Sequence, residues 1–327
     1  MALSVRREEL EGLRGEWQDL LALTPEPHVF HRPLWNELWL EHFRDGREPL
    51  FLAARDGDRL VGVAPLMRDG PRLALVGDHE ICDYMDFVVE PGREGEFFPA
   101  LLRSLGEEPW QEIELRGLAA YSPALAALPG AASALGWRSE QELEAVAPRV
   151  ELPSSWEEYL ARLGKKDRHE LRRKMRRLRQ GGARVELHDL RSRQEVAAGI
   201  DDFLRLHTAG RGDKTEFMSP EMERFFRDMS VALADEGLIR LFMLELDGRP
   251  AASVLCFDCC RQLHLYNSGF DPDLSSLSVG LLSKALCLEV AIKEGKSCLD
   301  FLRGAEPYKY DLGARDLPIY RCVVRRS

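Results

Sequence analysis

The sequence predicts an α/β protein with mixed α+β sheets, laid out as two successive domains of similar plan. Three observations predict it. At 327 residues the chain exceeds what one hydrophobic core usually organises. Apolar runs bounded by turn residues alternate with stretches of helical periodicity. One hairpin signature occurs in each half, followed each time by the same succession of elements.

The elements follow in order. A first helix carries Leu10, Leu13, Trp17 and Leu20, and a second begins after Pro33 and carries Trp35, Leu38, Trp39 and Phe43. Aromatics at that spacing read as core rather than ligand site. Leu50-Phe51-Leu52-Ala53-Ala54-Arg55, the turn Asp56-Gly57-Asp58 and the return run Leu60–Leu66 read as a hairpin. Asp86-Phe87-Val88-Val89, a helix over 95–105 and Glu112-Ile113-Glu114-Leu115 come next. In the second half Leu241–Leu246, Asp247-Gly248 and Ala251–Phe257 repeat the hairpin. They lead to Leu263–Tyr266, a helix over 279–294 that stops at Gly295, and the strand Cys298–Leu302.

The boundary is expected near Pro153, giving domains 1–152 and 153–327. Ser155-Trp156-Glu157-Glu158 has capping-box spacing and opens a helical stretch that Gly181-Gly182 ends. Its segment 165–179 carries nine Lys or Arg and two acids, with Leu171, Met175 and Leu178 as one narrow apolar stripe. The basic side admits three readings: a solvated face, a phosphate-recognition surface, or a nucleic-acid contact. The last is the least favoured, because no aromatics are interleaved for stacking and the formal net charge is −10.

Hydrophobic residues make up 45% and charged residues 31% of the chain, ordinary for a folded soluble protein. No apolar run follows Arg6-Arg7 and none reaches the length of a membrane span, so a cytoplasmic protein without signal peptide is expected. The seven cysteines, at 82, 256, 259, 260, 287, 298 and 322, form no disulfide framework. Cys256–Cys260 has no second ligand pair at metal spacing, so no metal is expected.

The C-terminal half carries an ordered set: Gly269-Phe270-Asp271-Pro272, Ser278-Val279-Gly280 opening a helix, Asp300-Phe301-Leu302-Arg303-Gly304, and Glu306-Pro307-Tyr308-Lys309. With Phe203-Leu204-Arg205-Leu206-His207 and the basic helix, it resembles the acetyltransferases associated with bacterial cellulose biosynthesis, the CelD/BcsL-like branch of the GNAT superfamily. That branch is similar in plan to the FemABX-type aminoacyl transferases. The resemblance is strongest from His207 to Lys309 and implies two tandem GNAT-like domains with the basic helix between them in sequence. Relatives commonly have Pro-Gly where this chain has Val279-Gly280. The usual Arg/Gln-x-x-Gly-x-Gly/Ala loop is degenerate here.

The resemblance implies acyl transfer, with acetyl-CoA as donor and an amine or hydroxyl of a sugar, polysaccharide precursor or small metabolite as acceptor. A strand, tight loop and helix N-terminus attract phosphate through open N–H groups and the helix dipole. Ser278, Val279, Gly280 and Gly269 stand there, although Ser278 also reads as a plain N-cap. The resemblance places thioester-facing backbone donors near Tyr266, Asn267 and Ser268, and Tyr308 near the leaving sulfur or packed as core. Asp300 is either catalytic or locked in a structural hydrogen bond, and His207 is either a site residue or a structural histidine. Arg211, Arg303, Glu306 and Lys309 are expected to bind substrate. The N-terminal half, despite Asp83-Tyr84-Met85-Asp86, lacks a glycine-rich helix opening and is expected not to bind the donor. Two other functions stay open: a FemABX-like, aminoacyl-tRNA-dependent transferase, and a non-catalytic module that binds an acyl-CoA or envelope precursor.

Overall fold

A computed structural model describes residues 3–78, 80–209 and 217–326. The chain divides into two compact units: Met1–Val146 with Leu317–Ser327, and Ala147–Asp316. This differs from a linear 1–152 and 153–327 division at two places. Residues 149–151 pair with a strand of the second unit, and the closing strand of the chain pairs in the first.

Unit 1 contains β1 (Ser4–Arg7), α1 (Leu10–Leu21), α2 (Pro33–Phe43), β2 (Glu48–Asp56), β3 (Arg59–Asp69), β4 (Arg72–Leu75) and β5 (Val88–Val89). It continues with α3 (Glu94–Leu105), β6 (Glu112–Ala119), α4 (Pro123–Ala134), most of β7 (Arg138–Glu151) and most of β13 (Arg315–Arg325). The Asp-Gly hairpin forms as expected, β2 against β3, with Gly57 at φ 61° where a side chain would be strained. Pairing is antiparallel for β1–β2, β2–β3, β3–β4, β3–β5 and β6–β13, and parallel for β4–β6. The expected strand at 86–89 shrinks to Val88–Val89. Trp17, Trp35 and Trp39 are fully buried, as the apolar periodicity of their helices requires.

Unit 2 begins with the end of β7 and continues through α5 (Trp156–Arg162), α6 (Lys165–Gln180), β8 (Val185–Leu190), α7 (Arg193–Thr208) and α8 (Pro220–Asp235). It closes with β9 (Ile239–Leu246), β10 (Arg249–Cys259), β11 (Gln262–Phe270), α9 (Val279–Lys293), β12 (Cys298–Asp300) and α10 (Pro307–Asp311). Its strand order is β7-β12-β11-β10-β9-β8, with β11–β12 the parallel pair. One sheet face packs Phe242, Leu244, Val254, Cys256 and Leu263 with α9 and with the α6 stripe Leu171, Met175 and Leu178. The other face receives α7, where Gly199 lets the helix close on Leu190 and Leu241. The basic stretch is two helices rather than one. Gly164, at ψ 147°, interrupts it, since glycine holds helical geometry poorly and here serves as the N-cap of α6.

Arg240 on β9 is the polar anchor of this unit. Its side chain is 1% exposed and donates to Asp189 on β8, Asp258 on β10 and Glu294 just past α9. The Arg240 Nη1–Glu294 separation is 2.6 Å. Burial opposes ionisation of Asp189 and Glu294, but hydrogen bonds from Arg240 and Arg191 outweigh it and hold both carboxyls below their usual range. Depressed carboxyl pKa values stabilise the fold above the unfolded value and stop doing so as pH falls through the folded one. Arg240→Ala is therefore expected to cost ~3–5 kcal/mol near neutral pH by stranding partly buried carboxylates. Chemical denaturation across pH should show that deficit narrowing below about pH 4, as the stranded groups protonate.

Candidate functional site

The site begins where two strands part. β11 and β12 pair in parallel over three residues only, Gln262↔Cys298, Leu263↔Leu299 and His264↔Asp300. There β12 ends, while β11 runs on to Phe270. Against β10 the register slips between Leu255 and Cys256, which leaves Tyr266 as the extra residue of a β-bulge. A bulge bends and twists its strand. The section of β11 holding Asn267, Ser268 and Gly269 thus lies past the end of β12.

The chain then turns into α9. Asp271 accepts from the Asp273 amide at 3.0 Å and opens a short 3-10 turn, Pro272–Leu277. Ser278 follows in the left-handed region (φ 58°, ψ 33°), and its carbonyl accepts from Leu281 at 3.1 Å and Leu282 at 3.0 Å. The Val279 and Gly280 amides occupy the helix N-terminus, where no intrahelical acceptor exists. Lys284, buried on α9, sits beneath them. Its Nζ donates to the Gly280 carbonyl at 2.8 Å and lies 5.0 Å from the centre of the Tyr308 ring. A buried cation and the positive end of a helix dipole here reinforce each other. The sequence reading passed over Lys284; its signal was a lysine on the otherwise apolar face of 279–293.

The two glycines serve packing. A Cβ on Gly269 would lie 2.3 Å from the backbone of Leu206 and His207, so α7 crosses directly on β11. A Cβ on Gly280 would lie 2.8 Å from the Phe270 ring, so that ring closes the floor of the turn.

His207 is brought to the same strand. Its Nδ1 donates to the Ser268 carbonyl at 3.2 Å, which places the proton on Nδ1 and the lone pair on Nε2 in the neutral ring. Phe203 stacks on it at 5.6 Å, and Phe226 joins this cluster to Tyr266 at 5.6 Å. Tyr308, on α10, packs edge-on to Phe301 at 5.9 Å. Burial, with the Glu306 charge adding to it, pushes its hydroxyl above the usual tyrosine range. His264, beside Asp300 in the parallel register, is held neutral by burial, its pKa lowered to about 4.

Three expected site residues are engaged with the chain itself. The Asp300 carboxylate accepts from the Leu302 amide at 2.7 Å, and Leu302 is left-handed at φ 55°. Asp300 therefore holds a strained turn, a conformation costing about 1–3 kcal/mol outside glycine. Lys309 is drawn into the turn itself. It is 2% exposed, and its Nζ donates to the carbonyls of Leu302, Arg303 and Gly304 at 3.0, 3.0 and 2.8 Å. Glu306, 2.9 Å from that ammonium, is its counter-charge and lies over Gly304. Arg303 is half-buried on the loop so tied. Arg211 lies outside the described residues.

With the geometry in place, known proteins give it a context. Residues 165–310 match the family model of the acetyltransferase (GNAT) domain. No curated protein matches the chain in sequence. Among solved structures, FemX superposes with TM-score 0.66 and 13% identity over 97% of this chain and 96% of its own. L-PGS from Bacillus licheniformis gives 0.55 and 11% over 90% and 91%. A tandem GNAT protein from the clavulanic acid biosynthesis pathway gives 0.51 and 13% over 98% of each chain. The fold is the mixed α/β fold of GNAT acyltransferases, in tandem form. No helix among the described residues is long and apolar enough to cross a membrane.

The Lys309 assignment has a direct check. Lys309→Met leaves three inward carbonyls without their donor and is expected to cost ~3 kcal/mol of stability. A substrate clamp would instead leave the melting temperature in place and raise KM. Thermal melts and steady-state kinetics separate the two.

Proposed function

We propose that the protein is an acyltransferase that takes an acyl group, acetyl first among candidates, from a coenzyme A thioester at the β11–β12 fork. The observation that carries this is the fork itself: a bulged strand leaving its parallel neighbour and leading, through left-handed Ser278, to an open helix N-terminus backed by Lys284. The match of 165–310 to the GNAT domain supports the same reading. The finer CelD/BcsL-like resemblance supports a sugar or other small hydroxyl or amine acceptor.

In this reading the Val279 and Gly280 amides hold the donor's diphosphate, with Gly269 and Gly280 keeping the cradle's walls close. A bound thioester supplies the activated carbonyl. The section of β11 at Asn267 and Ser268 presents backbone polar groups toward it. His207 removes the acceptor's proton through Nε2. The acceptor's N–C or O–C bond forms as the C–S bond breaks, and Tyr308, kept protonated by burial, gives its proton to the sulfur. Asp300 and Lys309 position the 302–304 turn.

Gly280→Glu is a poor test, because Phe270 occupies the space its side chain needs. Ser278→Asp is cleaner. Asp tolerates left-handed geometry and caps helices well, so the free protein should melt at or above the wild-type temperature. Its carboxylate would meet the diphosphate, and the melting-temperature rise caused by acetyl-CoA should vanish. Ser278→Asn should keep it. A full shift in the Asp variant places the donor elsewhere.

A second reading rests on α6, where Lys165, Lys166, Arg172, Arg173, Arg176, Arg177 and Arg179 are exposed while Leu171, Met175 and Leu178 are buried. A tRNA-dependent transferase would use that face. Arg172, Arg173 and Arg176 changed together to Gln should keep the helix. Loss of tRNA binding with a flatter salt dependence supports this second reading. A raised KM for an anionic acceptor, with acetyl-CoA binding unchanged, supports the first. If neither responds, the face is solvated only.

A further inference from the structure

Unit 1 repeats the fork with its charge reversed. β4 and β6 pair in parallel at Arg72↔Glu112, Leu73↔Ile113 and Ala74↔Glu114, after which β4 ends. The strand resumes as β5, returning to β3 at Gly62↔Val89 and Val63↔Val88, and four residues separate β5 from α3. Topologically this matches β11, β12 and α9. A cavity of about 470 Å³ opens here, lined entirely by unit 1 residues and within the usual range for small-molecule sites.

The lining decides the ligand class. Phe87, Val88, Val89 and Pro91 give it an apolar wall. Its ionisable groups are Asp86, Glu26, Glu94, His31 and Tyr121, and among the described residues no lysine or arginine lines it. The first turn of α3 holds Glu94 and Glu96, whereas the first turn of α9 holds no acid. A phosphate attracted by the helix dipole would therefore meet the Glu94 carboxylate in the cavity wall, Glu96 being paired with Arg93 at 2.8 Å outside it.

Asp86 is the built part. Only 8% exposed, it accepts from the Phe87 amide at 2.8 Å and from the Ser122 hydroxyl. Ser122 in turn accepts from the Ala124 and Leu125 amides at the start of α4, at 3.1 and 3.3 Å, which fixes its one donor on Asp86. We propose that this cavity binds a small organic ammonium ion, its carbon body along Phe87, Val88 and Val89 and its charge toward Asp86, with Glu26 and Glu94 at the rim.

The groups facing Asp86 set a pH signature. Ser122 and Tyr121 ahead of α4, the Phe87 amide, Glu26 after α1, Glu94 on α3 and His31 of the 29–31 turn share the cavity. Burial holds His31 neutral, its pKa lowered to about 4, so it contributes no competing positive charge at neutral pH. Burial raises Asp86 to about 7, against the hydrogen bonds from Ser122 and Phe87. A cation needs the ionised form, so its affinity rises with pH and binding releases a proton.

Calorimetric titration of the whole protein with pentan-1-amine, pentan-1-ol and pentanoate tests this. The amine should bind, the alcohol should bind more weakly, and pentanoate should not bind. Amine affinity should increase about tenfold between about pH 6 and about pH 8, a range in which the amine itself stays protonated. Asp86→Asn keeps an acceptor for the Phe87 amide and should lose both the affinity and its pH dependence, with the acetyl-CoA response of unit 2 untouched. If that variant fails to fold, Glu94→Gln should weaken the amine several-fold. Pentanoate binding as tightly as the amine, no saturable amine binding, or wild-type affinity in folded Asp86→Asn and Glu94→Gln would each overturn the proposal. The donor reading of unit 2 stands or falls separately, on Ser278.

Discussion

Three parallel residue pairs govern the candidate site. Where β11 pairs with β12, backbone groups are consumed by the ladder; beyond the end of β12 the ladder offers no partner, and the Ser268 carbonyl takes the Nδ1–H of His207 instead. The bulge at Tyr266 turns the freed length of β11 aside, and α7 settles against it because Gly269 has no side chain. The short β12 gives way at once to a turn: Asp300 and Lys309 hold the two peptides that flank the Leu302 Cα, one at the Leu302 amide and the other at its carbonyl. A strained turn gripped at both ends cannot extend the strand. The opening is thus bounded by Lys309, expected at the substrate, and by Asp300, which the sequence left open between catalysis and structure.

Comparison of the two forks shows how little a fold commits a site to one chemistry. The backbone path recurs, with a hairpin, a parallel pair that parts, and a helix entered from the parted strand. In unit 2 the helix start has no acid and a buried lysine below it. In unit 1 the helix starts with two glutamates, and a buried carboxyl stands nearby. The dipole has the same sign at both helices; the side chains decide which ion can approach.

Much of the architecture was legible. Asp-Gly between apolar runs marked both hairpins: Asp247 and Gly248 both take positive φ in the second loop, and in the first, where the loop is Gly57-Asp58, Gly57 alone does. The α6 stripe was legible because helical spacing leaves Leu171, Met175 and Leu178 on one line. What the sequence hid were long-range facts. Gly269 looks like any loop glycine until α7 is seen lying on it, and Lys309 looks like a surface cation until three carbonyls are found around its ammonium. Gly164 was in plain view, but a capping box upstream and a charge run downstream suggested one helix across it. Asp300 could not be apportioned between chemistry and structure without the Leu302 amide.

The closing strand has a consequence for synthesis. β6 receives β13 from residues 319–325, roughly 200 positions after β6 itself leaves the ribosome. Until then β6 presents a bare edge to whatever strand comes near, for roughly 10–40 s at ordinary elongation rates. All of unit 2 is made in that interval. The unit that starts first is therefore completed last, and the time its β6 edge stays bare is set by how fast unit 2 is translated.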